Sequence, residues 1–249
     1  MWQWLYKLGS PRHFYEMTTG FVPWLTGVSL FLLIVGVVWG LGFAPPDYQM
    51  GDSYRILYIH VPTSMGGMGA FVLLAMMAAM HMIWNIKMAD IVAKVCAPVG
   101  AGYTALGLIT GSLWGKPTWG TYWIWEARLT SYLILLFLFL GVMALRAAYD
   151  SERSGSKAAS VLAIVGVVNV PIIYYSVYWW NTLHQVPSEL GRDGSANPPE
   201  IFIPALFTGF AVIGLFFLAV ILRSRNEILY RERRAQWVQD LLEKELADV

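Results

Sequence analysis

Cysteine and charge are the two things this chain of 249 residues most lacks. There is a single cysteine, Cys96. It excludes an internal disulfide, and the absence of any C-x-x-C-H run excludes covalent haem attachment, so the chain is not itself a c-type cytochrome. Cys96 reads as a small buried hydrophobe. Charged residues make up 13% of the chain, against about 25% in soluble domains. No dense basic patch occurs outside the C-terminal tail and no recognition motif is present, which argues against nucleic-acid binding. No A-x-A-like cleavage site follows the first apolar run, Phe21 to Phe43. That run is also longer than the roughly 7–15 residues of a signal-peptide core, so it is expected to be a retained helix. No internal repeat or low-complexity segment is evident.

What is abundant is apolar sequence, 57% of the chain, more than a soluble core can hide. A membrane span needs about 20 predominantly apolar residues. Six segments qualify: 21–43, 54–85, 91–114, 127–148, 158–180 and 201–223. The expected fold is therefore all-α, a polytopic integral membrane protein of six transmembrane helices. Residues 1–223 form one domain and 224–249 a polar tail. The second segment is long enough to tilt, kink or protrude, and Pro62 offers a kink because it lacks a backbone donor. Thirteen of the 17 Lys and Arg residues fall on one side of these spans, and only Arg55, Lys116, Arg128 and Arg192 on the other. The richer side is cytoplasmic by the positive-inside rule. Both termini are then cytoplasmic, and loops 44–53, 115–126 and 181–200 face outward. The tail alternates charge with Ile228, Leu229, Trp237, Val238, Leu241 and Leu242. It reads either as an amphipathic helix lying on the membrane or a partner, or as a solvated basic anchor.

Four histidines are present: His13, His60, His81 and His184. His60 and His81 are separated by about 31 Å of helix at 1.5 Å per residue, so they lie at opposite faces. His60 and His184 both fall near the outer face, on different helices. Two facing imidazoles suit axial ligation of haem iron, and an intramembrane imidazole is a functional candidate by default. The alternative is that each simply hydrogen-bonds at the interface, the expectation for His13 and His81.

Between the third and fourth spans, five of the twelve residues from Trp114 to Trp125 are Trp or Tyr. Were 119–126 helical, Trp119, Tyr122, Trp123 and Glu126 would share one face, an aromatic shelf ending in a carboxylate and suited to a large planar ligand. An interfacial aromatic belt explains two or three such residues. It does not readily explain so many interleaved with Gly115, Pro117 and Gly120. Lys116 and Arg128 are placed to pair with ligand carboxylates. A second cluster, Asn169 to Gln185, runs through Trp179 and Trp180 to His184, and Asn181 and Thr182 are candidates to order that loop or orient the imidazole.

These three features together carry a resemblance. The run Trp114–Thr130 resembles the tryptophan-rich "WWD" signature of the haem-handling membrane protein family. With Tyr58-Ile59-His60-Val61-Pro62 and Trp179-Trp180-Asn181-Thr182-Leu183-His184, it is similar to the haem exporter protein C family of bacterial cytochrome c maturation. The resemblance covers the length, the six spans and the topology. It implies that His60 and His184 are axial ligands of a non-covalent haem b, held at the outer face by Trp114, Trp119, Tyr122, Trp123, Trp125, Glu126 and Arg128. It also implies a role: presenting haem to the periplasmic chaperone CcmE from the bacterial inner membrane. The partners implied are the ABC transporter ATPase CcmA, its membrane subunit CcmB and the small protein CcmD. The chain departs from the family pattern at Glu126, where the motif ends in Asp, and at Tyr122, where many members have Trp. No bond-breaking enzymatic activity is expected. The rival reading is a b-haem membrane subunit of a quinone oxidoreductase. It would need a second facing histidine pair at the other face, for which only His13 and His81 are available. A small-solute channel is a third reading, and the lack of a central charge in any span speaks against it.

Overall fold

The computed structural model describes residues 9–184 and 198–247. Lys7, Arg192 and most of the outer loop 181–200 lie outside the described residues. The described chain is helical, in the order α1 (Pro11–Gly42), a 3₁₀ turn (Asp52–Ile56), α2 (Leu57–Trp84), α3 (Lys87–Trp119), α4 (Ala127–Ala147), α5 (Glu152–Gly166), α6 (Asn169–Trp179), α7 (Pro199–Arg231) and α8 (Gln236–Ala247). Six stretches are long and apolar enough to cross a membrane, the fifth being α5 and α6 together. Large apolar side chains such as Phe31, Ile34, Phe137, Val165, Phe210 and Ile213 point outward. That arrangement is stable only where the surrounding solvent is lipid.

The helices outrun the apolar segments because their ends stay helical in polar sequence. α1 is 32 residues long, about 48 Å at 1.5 Å per residue, against a hydrocarbon core of about 30 Å. Its extra turns carry Arg12 and Glu16, which pair at 2.7 Å. α1 packs along α7, and α2 along α3; α4 packs against α3, α5 and α6. Small residues permit the close approach expected of helices in lipid. A Cβ on Gly36 of α1 would meet Thr208 of α7 at 2.7 Å. The main core lies where α2, α3, α4, α5 and α7 converge, around Phe71, Leu74, Cys96, Leu135, Phe139, Ala163 and Phe216. Cys96 is fully buried and its thiol donates to Ala70 O at 3.4 Å, as expected of an inert thiol.

Two expectations about helix shape change. α2 continues through Pro62; the break falls in the fifth span, at Val167–Val168, between α5 and α6. Pro171 explains it, since it has no N–H to offer the carbonyl four residues back. Asn169 turns its side-chain amide to Ser131 O on α4 at 2.9 Å and so ties the outer half-helix to α4.

Both described termini sit at one end of the bundle, where Arg225 of α7 donates to Tyr15 O of α1 at 2.9 Å. Many of the cations counted for topology are engaged there. Buried Asp90 on α3 accepts from Arg146, from Ser156 and, at 2.8 Å, from Arg231. Lys94 bridges Glu152 at 2.9 Å and Glu227 at 2.7 Å. The tail docks on this end of the bundle. In α8, Val238 is buried, and Trp237 packs with Tyr15 and with the cluster of Met88, Ile91 and Ile228.

Candidate functional site

At the opposite end of the bundle, a cavity of about 210 Å³ is lined by Met50, His60, Val61, Gly111, Trp114, Gly115, Thr118, Trp119, Arg128 and His184. His60 stands in the first turn of α2. Its Nδ1 faces Gly107 O at 3.1 Å, with Thr110 Oγ1 at 3.2 Å and Ser64 Oγ at 3.4 Å. A carbonyl only accepts, so Nδ1 carries the proton and Nε2 keeps a bare lone pair. Gly111 on α3 makes room for this ring, and Gly107, one turn earlier, lets α2 approach at Ser64. A Cβ on Gly107 would strike Ser64, and one on Gly111 would lie 2.7 Å from His60 Cε1. The Trp114 ring meets His60 edge-on at 5.7 Å.

His184 reaches the same cavity from the segment after α6. Its Nδ1 lies 2.6 Å from Glu126 Oε1, and Leu183 N donates to Glu126 Oε2 at 2.6 Å. A carboxylate likewise accepts, so here too Nδ1 carries the proton and Nε2 keeps a free lone pair. Burial holds the His184 imidazole below its ordinary pKa. Arg128 acts in the same direction, and the Glu126 carboxylate in the opposite one. The Trp119 ring packs against the imidazole at 4.8 Å.

The loop between α3 and α4 is not helical. α3 ends at Trp119 because Gly120 adopts φ +79°, a left-handed conformation that glycine reaches without a Cβ clash. Gly120 N bonds back to Lys116 O at 3.0 Å. Residues from Gly120 to Glu126 then run without regular structure. Trp119, Tyr122, Trp123 and Glu126 therefore do not form one helical shelf. Trp119 turns to His184, Tyr122 is exposed beneath Lys116, and Trp123 packs edge-on against the exposed Trp125 at 5.4 Å. Lys116 is spent on the turn, donating to Gly120 O at 3.0 Å. Trp179, Trp180 and Asn181 are exposed, and the imidazole's Nδ1 partner is Glu126 rather than Asn181. Thr182 instead bonds to His184 O at 3.3 Å.

The residues brought together are thus His60, His184, Trp114, Trp119, Glu126 and Arg128. Residues not singled out from sequence are Gly107 and Gly111, readable only once His60 was known to face α3, and Met50 and Arg55. Arg55 donates to Gly40 O and, at 2.9 Å, to Ala44 O, neutralising the carbonyl end of α1. It anchors the loop that carries Met50 into the cavity. The buried indole nitrogens of Trp114 and Trp123 have no hydrogen-bond partner among the described residues. No cluster of three or more His, Cys, Asp or Glu suited to a bare metal ion occurs among the described residues. Two imidazoles suffice, however, for an iron whose remaining ligands come from a macrocycle.

Residues 4–239 match the family model of heme exporter protein C, CcmC. The chain is 45% identical to "Heme exporter protein C" of Escherichia coli (strain K12), over 98% of both chains. It is 42% identical to the protein of that name from Haemophilus influenzae, over 97% of this chain and 98% of the relative. It is also 36% identical to a "Putative cytochrome c biosynthesis ccmC-like mitochondrial protein" of Marchantia polymorpha, over 85% of this chain and 91% of the relative. With a match of this extent and identity, the six-span chain belongs to the heme exporter protein C family.

Proposed function

We propose that this chain is the haem-handling subunit of a cytochrome c maturation system. In this reading it sits in the bacterial inner membrane with both termini in the cytoplasm. It takes non-covalent haem b as cargo at the periplasmic face and presents it to the chaperone CcmE, working beside CcmA, CcmB and CcmD. Residues 1–223 act as one transmembrane unit, with 224–249 as its cytoplasmic tail. The carrying observation is that His60 on α2 and His184 in the segment after α6 line one cavity with Nδ1 engaged in both rings.

The residues present fit such a cargo. The two Nε2 lone pairs suit axial ligation. The unpartnered indole N–H of Trp114 and the guanidinium of Arg128 suit its carboxylates. Trp114 and Trp119 offer apolar ring faces beside the imidazoles. The cavity, about 210 Å³, is below the roughly 300 Å³ at which enclosed small-molecule sites begin. A macrocycle seated there keeps part of its edge outside, as handing it on requires. Exposed Tyr122 and Trp125 supply an outer surface for the chaperone.

The test is the absorption spectrum of the detergent-purified protein, as isolated and reduced. A six-coordinate low-spin spectrum is expected. His60→Ala and His184→Ala should each alter it, and His81→Ala should not. Normal haem binding by the double variant His60→Ala/His184→Ala would overturn the assignment.

A further inference from the structure

Glu126 is the residue that opens α4, with φ −110° and ψ 166°, yet its side chain caps none of that helix's amides. An aspartate in this position ordinarily accepts from the first turn of its own helix. Here the carboxylate crosses to a segment 57 and 58 residues further along the chain, placing one oxygen on Leu183 N and the other on His184 Nδ1, each at 2.6 Å. The Glu126 side chain is 6% exposed and that of His184 19%, so the pair is partly buried. Both oxygens are committed to neighbouring residues, which fixes the segment's position as well as the ring's rotation. Trp119 closes the imidazole from the side at 4.8 Å, with 62° between the ring planes.

We propose that Glu126 is a positioning residue for His184: it holds the imidazole by Nδ1, aims Nε2 into the cavity and strengthens that nitrogen as a donor. The inference rests on the reading of His184 as a ligand to the cargo iron. It assigns Glu126 a task distinct from touching the cargo or docking the chaperone. A metal-bound imidazole whose other nitrogen donates to a carboxylate is oriented and made more basic, and losing that partner typically costs 10–100-fold in affinity. The two conservative replacements discriminate. Glutamine keeps the shape, but its amide has one acceptor oxygen for two donors, so either Leu183 N or His184 Nδ1 loses its partner. Aspartate keeps both acceptors but is shorter by one carbon–carbon bond, about 1.5 Å, and cannot hold both bonds at their present lengths.

The experiment uses the full chain in detergent, loaded with haem. It measures haem affinity by titration, the ferric low-spin electron paramagnetic resonance signal, and the midpoint potential. Glu126→Gln should bind haem about 10–100-fold more weakly, with altered low-spin g-values and a potential shifted positive, because a weaker imidazole donor favours ferrous iron. Glu126→Asp should fall between Glu126→Gln and the parent. Membrane abundance should be unchanged in both. Should Glu126→Gln match the parent in affinity, g-values and potential while His184→Ala loses the low-spin signal, the positioning role is refuted and the ligand assignment stands. Should His184→Ala leave the signal intact, the ligand assignment itself fails. A Glu126→Gln protein that lost only thermal stability, with g-values and potential unmoved, would count against the proposal as a purely structural cross-link.

Discussion

Replacing Gly111 by alanine is the smallest change that reaches His60. The new Cβ would lie 2.7 Å from His60 Cε1 and 3.2 Å from Nδ1. Carbon atoms pack best at about 3.5–4.0 Å, so the ring must retreat by about 1 Å. Its Nδ1 bonds to Gly107 O and Thr110 Oγ1 already measure 3.1 and 3.2 Å. A retreat of that size carries them past the range of a useful hydrogen bond. For folding, the effects oppose each other: alanine gains about 1 kcal/mol over glycine in a helix interior, and one lost hydrogen bond costs about 0.5–1.5 kcal/mol. Stability should therefore shift by less than about 1 kcal/mol. Binding has no such compensation, and a misaimed ligand should weaken haem affinity about 10–100-fold, or roughly 1.4–2.8 kcal/mol. The control is Gly102→Ala on the same helix, where a Cβ meets nothing within 4 Å. Haem titration followed by absorbance, with thermal unfolding of the same samples, reads both quantities. If Gly111→Ala binds haem like Gly102→Ala, the claim that this helix seat aims His60 is wrong.

Two further expectations concern topology and the opposite end of the bundle. Cysteines placed by Thr118→Cys and Tyr122→Cys, both at exposed positions, should react with a membrane-impermeant thiol reagent in intact spheroplasts. Cys96, fully buried, can stay as a silent background, and labelling only after the membrane is broken would reverse the orientation. Asp90→Ala removes the acceptor shared by Arg146, Ser156 and Arg231. Arg231 keeps Glu227 at 2.6 Å and Glu152 at 3.1 Å, but Arg146 loses its acidic partner, at a cost of about 1.5–3 kcal/mol. Reduced membrane abundance and a lower thermal midpoint are expected, and an unchanged midpoint would show that the network is not structurally coupled.

Much of the fold was legible because hydropathy is a local property. All six spans were visible, and His60 and His184 could be placed at one face by counting residues. What was not legible depends on contacts between distant segments. The Trp-rich loop looked helical by periodicity, but Gly120 ends α3 and the aromatics disperse. Glu126 read as the carboxylate that ends an aromatic shelf. Its partner is His184, and no spacing rule joins them. Several cations that signalled topology proved to be ion-paired, because sequence shows charge and not its neighbours. The break in the fifth span was written in Pro171, while Pro62, which invited the same reading, lies within an unbroken helix.

That break has a mechanical consequence. Because Asn169 fastens α6 to α4, and Glu126 at the head of α4 grips His184, this imidazole travels with α4 and α6. His60 travels with α2 and α3, where Gly111 seats it. The two rings are thus held by different helix pairs, which meet where α4 packs on α3 and Tyr132 donates to Ser64 O at 3.0 Å. A small shear between the pairs would change the gap between the rings while leaving both Nδ1 bonds intact. In the proposed role, such a shear would loosen the hold on a flat cargo without dismantling either side of the site.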